Sequence, residues 1–319
     1  MTNHILIYLF SFVGIWIGSG FAIKAVERIS KTLKVSSFVV SFLLLGFFTS
    51  ISELSVGINS VLGNEPEIFV GNLIGASIVL FMLIVPLLAI VGKSIRITPE
   101  FQGFNLPASL VVIALPVILA LDGTLGRIDG IVCVSVFGFL VMSIQAKKGL
   151  FENIKNFKTD ETVKFGKELL RILFGIVVIF VASHFVVEQT NYFAEVLNVS
   201  PFLLSLLVIA IGTNIPELSL AIRAAFMRNH QVAFGDYVGS ASVNTFLLGA
   251  LVLYYKKPVV LSNSYSTSLL FLVVGLLTFY IFARSKNTVS RFEGFILLCI
   301  YILFLYIEIV GHKQLMFWA

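Results

Sequence analysis

The chain has 319 residues, 58% of them hydrophobic and 12% charged, with 31 phenylalanines and a mean hydropathy of +1.01. That balance excludes a soluble domain of this length, and the apolar runs are continuous rather than alternating, so transmembrane helices are expected and a membrane β-barrel is not. The formal charge of +5 points to no nucleic-acid partner, and Cys133 and Cys299, both inside apolar segments, offer neither disulfide nor thiolate–metal chemistry.

Ten helices are expected, at 5–25, 36–60, 68–92, 104–122, 127–146, 167–188, 200–225, 232–254, 266–283 and 291–310. The first, apolar from Ile5 with no small-residue cleavage site before Lys24, reads as a retained span, and its Gly14, Gly18 and Gly20 suit close helix packing. A basic connection, Lys24 to Lys34, leads to the second span and its Thr49-Ser50-Ile51-Ser52-Glu53-Leu54. The turn Gly63-Asn64-Glu65-Pro66-Glu67 precedes a third span with Gly71-Asn72 and Gly75-Ala76-Ser77. Asp122-Gly123-Thr124-Leu125-Gly126-Arg127 is short enough to be a tight connection between antiparallel helices. The most polar stretch, 147–166, divides the chain into a first five-helix unit, 1–146, and a second, 167–319. Within the second unit, Ile211-Gly212-Thr213-Asn214-Ile215-Pro216-Glu217-Leu218 interrupts a segment apolar enough to cross a bilayer, and the next span carries Gly235-Asp236-Tyr237-Val238-Gly239-Ser240 and Asn244. Glu308 is expected near the outer end of the last span.

With the N-terminus outside, ten crossings place 18 basic residues on the cytoplasmic side and 4 outside, in accord with the positive-inside rule. Both termini are then outside and the central basic segment is cytoplasmic, in a plasma or inner membrane.

Sliding the chain by 164 residues superimposes Thr49 on Thr213, Glu53 on Glu217, Ser55 on Ser219, Gly71 on Gly235, Asn72 on Asp236 and Gly75 on Gly239. Two intramembrane glutamates in one register are hard to obtain by chance, because an ionised carboxylate at that depth is costly and normally marks an ion route. An odd number of crossings separates the two copies, so they enter the membrane in opposite directions, as in transporters built from inverted repeats. Thr49 with Glu53, and Thr213 with Glu217, share helix faces at i,i+4 and can aim oxygens into one site. Hard cations want oxygens: a pair of carboxylates suits Ca2+, and sodium ions or protons could exchange for it. No thiolate or imidazole cluster accompanies them, and His4, His184, His230 and His312 form no catalytic constellation, so an enzyme is not expected.

These motifs resemble those of the cation/calcium antiporter superfamily, whose two alpha repeats carry a glycine-threonine/serine-x-proline-glutamate element and then a GN/GD…G-S-N element. The resemblance implies an all-α membrane protein of ten transmembrane helices in two inverted five-helix repeats, exchanging Ca2+ or a related cation for Na+ or H+ by alternating access. It assigns Glu53 and Glu217 as central cation ligands, Thr49 and Thr213 as backbone or hydroxyl ligands, Ser50 and Asn214 as flanking ligands, and Ser240 and Asn244 as ligands from the eighth span. No cofactor beyond the transported cations is implied, and the expected partners are inorganic cations and the bilayer, with a monomeric protein. The first copy departs from the pattern: Ser52 stands at the motif proline, and Ala76 and Leu80 stand where oxygen-bearing residues are found. Those departures keep a non-transporting cation-binding scaffold or sensor as the alternative.

Overall fold

In lipid a backbone must satisfy its own hydrogen bonds, so apolar runs of this length coil into helices. The computed structural model describes residues 1–32, 42, 45–97, 101, 103–148, 165–227, 230–261 and 266–318. Lys34, Arg228, the first part of the second expected span and residues 149–164 of the polar segment lie outside the described residues. The helices are α1 (Thr2–Thr32), α2 (Gly46–Thr49), α3 (Ile51–Leu62), α4 (Pro66–Val91), α5 (Asn105–Leu119), α6 (Arg127–Lys148), α7 (Phe165–Leu197), α8 (201–213), α9 (Ile215–Met227), α10 (His230–Tyr255), α11 (Ser266–Lys286) and α12 (Arg291–Trp318). Among the described residues nine helical stretches are long and apolar enough to cross a membrane, and Ile51–Leu62 is a further, shorter apolar helix.

The outer helices overrun their expected limits. At 31 and 33 residues, α1 and α7 extend for about 45–50 Å, well beyond a hydrocarbon core of about 30 Å. The expectation had ended the sixth span at 188, the last residue before the polar run Gln189-Thr190-Asn191, but the helix continues because those residues are bonded rather than loop-forming. Tyr8 and Thr190 share a hydrogen bond of 2.9 Å, His4 and Gln189 one of 2.7 Å, and His4 stacks on Tyr192 at 3.7 Å. At the opposite end of this antiparallel pair Arg28 and Arg171 both reach Glu168. Small residues let the backbones close between the two ends: a Cβ on Gly18 would stand 2.8 Å from the Gly175 carbonyl oxygen, and one on Gly14 would stand 3.0 Å from the Ala182 Cβ.

Two helices are enclosed on all sides, α4 with residues 68–82 buried and α10 with residues 234–245 buried. Their aromatic and aliphatic side chains, including Phe69, Phe81, Phe234 and Tyr237, form the largest buried cluster together with α5, α6, α11 and α12. Thr245 on α10 donates to the Val112 carbonyl of α5 at 2.9 Å, a polar tie inside that apolar packing.

The shift of 164 residues extends beyond the motifs that define it. It carries the start of α2 onto Ala210 in α8, of α3 onto that of α9, of α4 onto that of α10, and of α6 onto that of α12. A π-helical segment at Ser205–Ile209 lies within α8, and Phe42 and Leu45 in the related stretch are π-helical too. Four short strands obey the same shift: β1 (Ser94–Arg96), β2 (Thr124–Leu125), β3 (Val259–Val260) and β4 (Thr288–Ser290). β1 pairs with β4 in antiparallel register, Arg96 opposite Thr288, and β2 pairs with β3, Thr124 opposite Val260. Adding 164 to Arg96 and subtracting it from Thr288 converts the first pair into the second.

Candidate cation site

The transmembrane course of the chain is broken at Ser50 between α2 and α3, and at Asn214 between α8 and α9. Ser50 has φ −75°, ψ 6° and Asn214 has φ −88°, ψ 9°, the sparsely populated bridge region rather than the helical one. Each break is held locally: the Leu54 amide donates to Ser50 O and the Leu218 amide to Asn214 O, both at 3.0 Å. Breaks at this depth persist only where the released polar groups face protein or a polar space. Here the helical turn before each break packs on a glycine of α4 or α10. A Cβ on Gly75 would meet the Ala210 Cβ at 2.7 Å, and one on Gly46 would meet Gly239 C and Ser240 N at 2.8 Å.

All eight residues expected at the site, Thr49, Ser50, Glu53, Thr213, Asn214, Glu217, Ser240 and Asn244, are buried. Several are joined directly. Thr49 donates to Asp236 Oδ1 at 3.5 Å, and its counterpart Thr213 donates to Asn72 Oδ1 at 3.2 Å. The hydroxyls of Ser50 and Ser240 lie 3.0 Å apart. Asn214 Nδ2 donates to Ala210 O at 2.7 Å and reaches Glu53 Oε1 at 3.4 Å. Asn244 makes no side-chain hydrogen bond to any of the others: its oxygen and nitrogen are both buried without a partner.

The two carboxylates have unlike surroundings. Glu53 has Ser52 Oγ at 2.9 Å from Oε2, in addition to Asn214. Neither Glu217 oxygen makes a hydrogen bond of ordinary geometry; the Thr49 hydroxyl acts on it only weakly, against the nearby Glu53 and Asp236 carboxylates. Counterparts under the shift explain the difference: Pro216 stands for Ser52 and has no hydroxyl, and Ser50 stands for Asn214 but is engaged with Ser240. Glu217 Oε1, Glu217 Oε2, Asn214 Oδ1 and Asn244 Oδ1 are thus four buried acceptors without donors, all from the second copy. Ala76 and Leu80, counterparts of Ser240 and Asn244, are buried and give no side-chain oxygen.

Buried acceptors without donors cost free energy unless a cation or proton meets them. Glu53 and Glu217, with the Asp236 carboxylate beside them and neutral carbonyl, amide and hydroxyl oxygens around them, form a hard donor set, suited to Ca2+ or Na+ rather than to soft metals. Among the described residues no group of three or more His, Cys, Asp or Glu could hold a metal ion, and the two cysteines are free thiols outside this cluster. Sequence reasoning placed Asn72 and Asp236 in register but gave them no part in the site, and it read Ser52 only as a departure. The signal for Asn72 and Asp236 was the shift itself, since it set one polar residue on the other inside apolar spans. Glu308 is remote from the site, half-buried between α11 and α12 with Ser268 donating to it at 3.4 Å.

The chain matches the sodium/calcium exchanger protein family over residues 3–144 and 167–310. It is 26% identical over 304 residues to an uncharacterised membrane protein of Methanocaldococcus jannaschii, covering 93% of this chain and 95% of the relative. It is 24% identical over 344 aligned positions to the sodium/calcium exchanger MaX1 of Methanosarcina acetivorans, covering 96% and 98%. Among solved structures, the sodium-calcium exchanger NCX_Mj soaked with Na+ and Sr2+ has a TM-score of 0.69 at 22% identity, covering 96% of this chain and 98% of that one. That last likeness concerns the fold.

Proposed function

Because the chain belongs to the sodium/calcium exchanger protein family, we infer that the buried cluster at the two helix breaks is where its transported cation binds. The protein is a multi-pass membrane antiporter for Ca2+ or a related cation. In our reading Glu53 and Glu217 are the central ligands, Thr49, Thr213, Ser50 and Asn214 supply oxygens from the breaks, and Ser240 and Asn244 supply them from α10. The observation that carries this reading is the set of four donorless acceptor oxygens on Glu217, Asn214 and Asn244, buried opposite Glu53.

Ten crossings in two inverted copies, 1–146 and 167–319, are supported by the common shift of helix starts, breaks and strand pairs. Opposed copies put related breaks at one depth, which is the arrangement that alternating access requires. The basic residues favour termini outside and the 147–166 segment in the cytoplasm. Ca2+ as cargo and Na+ or H+ as counter-ion follow from the hard donor set, and one copy of the chain holds every ligand named, so a monomer suffices.

Calcium-45 uptake into proteoliposomes under imposed Na+ or H+ gradients tests the reading. Uptake is expected to follow one of the gradients and to be lost in Glu217→Gln. Uptake that ignores every gradient, or survives loss of Glu217, would overturn it. Binding without flux in the same preparation would favour the cation-binding scaffold.

A further inference from the structure

Ser52 occupies a position at which the second copy has Pro216, and its hydroxyl stands among three oxygens: Glu53 Oε2 at 2.9 Å, Thr49 O at 3.0 Å and Thr213 O at 3.4 Å. It is fully buried. A serine hydroxyl has one proton, so only one of the three acceptors can hold it at a time. Two of them are carbonyls at the helix breaks, one from each copy, and the third is a carboxylate oxygen expected to ligate the cation. A hydroxyl that can turn between them is a switchable donor.

We propose that Ser52 is a positioning residue that competes with the cation for Glu53: it donates to Oε2 when the cation is absent and, when the cation takes that oxygen, turns to whichever of Thr49 O and Thr213 O the cation leaves free. This inference rests on the assignment of Glu53 as a ligand. Its chemistry is simple exchange. A hydrogen bond to a charged carboxylate is stronger than one to a neutral carbonyl, so moving the proton costs free energy that binding must supply, and the cation gains an oxygen in return. Glu217 has no such donor beside it in sequence, because Pro216 offers none. The two carboxylates therefore differ in their cation-free state, Glu53 held by Ser52 and Asn214 and Glu217 more open, and the Ser52 share of that difference is written at one position of the sequence.

The consequence has a sign opposite to that of an ordinary ligand. Removing the hydroxyl leaves Glu53 Oε2 without its competitor, so cations bind more tightly. Ser52→Ala and Ser52→Pro, the latter supplying the second copy's own residue, are each expected to tighten Ca2+ binding about tenfold, whereas Ser52→Thr keeps the hydroxyl and wild-type affinity. Calorimetric titration of purified protein in detergent with Ca2+, and separately with Sr2+, reads the shift. The titration is run at about pH 9, well above the ordinary carboxylate range, to limit competition by protons. Weaker or unchanged binding in Ser52→Ala or Ser52→Pro overturns the proposal, as does tightening in Ser52→Thr equal to that in Ser52→Ala. The proposed antiport fails separately: a wild-type protein that binds Ca2+ but carries none across a membrane would refute transport and leave the affinity shift as the measure of Ser52.

Discussion

Gly46 lies one turn before the first break and packs on the backbone of α10. A Cβ there would stand 2.8 Å from both Gly239 C and Ser240 N, where ordinary contact begins at 3.4 Å. Backbone atoms cannot rotate aside, so Gly46→Ala is expected to part α2 from α10 by about 0.6 Å. The Ser50–Ser240 hydroxyl contact of 3.0 Å and the Thr49–Asp236 bond of 3.5 Å both cross that seam. An opening of this size takes both out of hydrogen-bonding range. Overpacking costs about 1–3 kcal/mol, and alanine's helix propensity returns about 1 kcal/mol of it, so folding survives with a net loss of up to about 2 kcal/mol. Cation affinity falls further, by about tenfold or more, because the displaced residues are ligands that must converge. Calorimetric titration with Ca2+ and thermal unfolding, both in detergent, separate the two effects. Gly20→Ala is the control: its Cβ meets nothing within 4 Å, and affinity is expected to stay unchanged with equal or slightly higher stability. Wild-type affinity in Gly46→Ala would refute the idea that this close contact sets the geometry of the site. The second copy has Ala210 at the related place, with Gly75 facing it, so a methyl is accommodated on one side of that crossing only.

Restoring oxygens to the first copy by Ala76→Ser with Leu80→Asn is expected to let Na+ compete more strongly for the site, lowering by several-fold the Na+ concentration that halves Ca2+ binding; displacement titrations check it, and an unchanged value would show that these positions do not face the cation. Asn59 on α3 donates to Ser183 Oγ of α7 at 2.7 Å and to Ser55 O within its own helix at 2.9 Å, so Asn59→Ala is expected to cost about 1–3 kcal/mol, read as a lower melting temperature in detergent. Burial raises the Glu65 carboxyl above its usual range, with Glu67 and Glu195 adding to the shift. A raised carboxylate penalises folding only once it ionises, so the penalty is absent at low pH and appears as pH rises through the folded value. Glu65→Gln is therefore expected to raise the melting temperature slightly at neutral pH and not at about pH 3, below the unfolded range; equal effects at both would assign the change to packing.

The central breaks were legible because charge is so expensive at membrane depth that Glu53 and Glu217 could not be read as incidental, and their common spacing exposed the repeat. The eight expected site residues are all buried, six of them within a turn of those breaks and Ser240 and Asn244 on α10. What the sequence could not reveal was local. Strands of two or three residues carry no periodicity, so β1 to β4 left no mark on the hydropathy pattern. The ends of α1 and α7 were missed because bonds such as Tyr8–Thr190 and Arg28–Glu168 hold polar turns helical beyond the apolar run. Ser52 was legible as an exception and illegible as a donor, since its value depends on Thr213 O arriving from a segment 161 residues away. The 147–166 segment, most of it outside the described residues, was legible only as a divider.

The strand pairs bear on how such a chain can be cut. Each of the two ladders joins a strand of the first copy to a strand of the second, and neither ladder closes within one copy. A half-length polypeptide ending in the polar divider would therefore carry two strand edges with nothing of its own to pair them. Two halves would supply each other, in the same registers, with no covalent link between them. The divider keeps the partners at high effective concentration, and the recognition that joins them is already written in both.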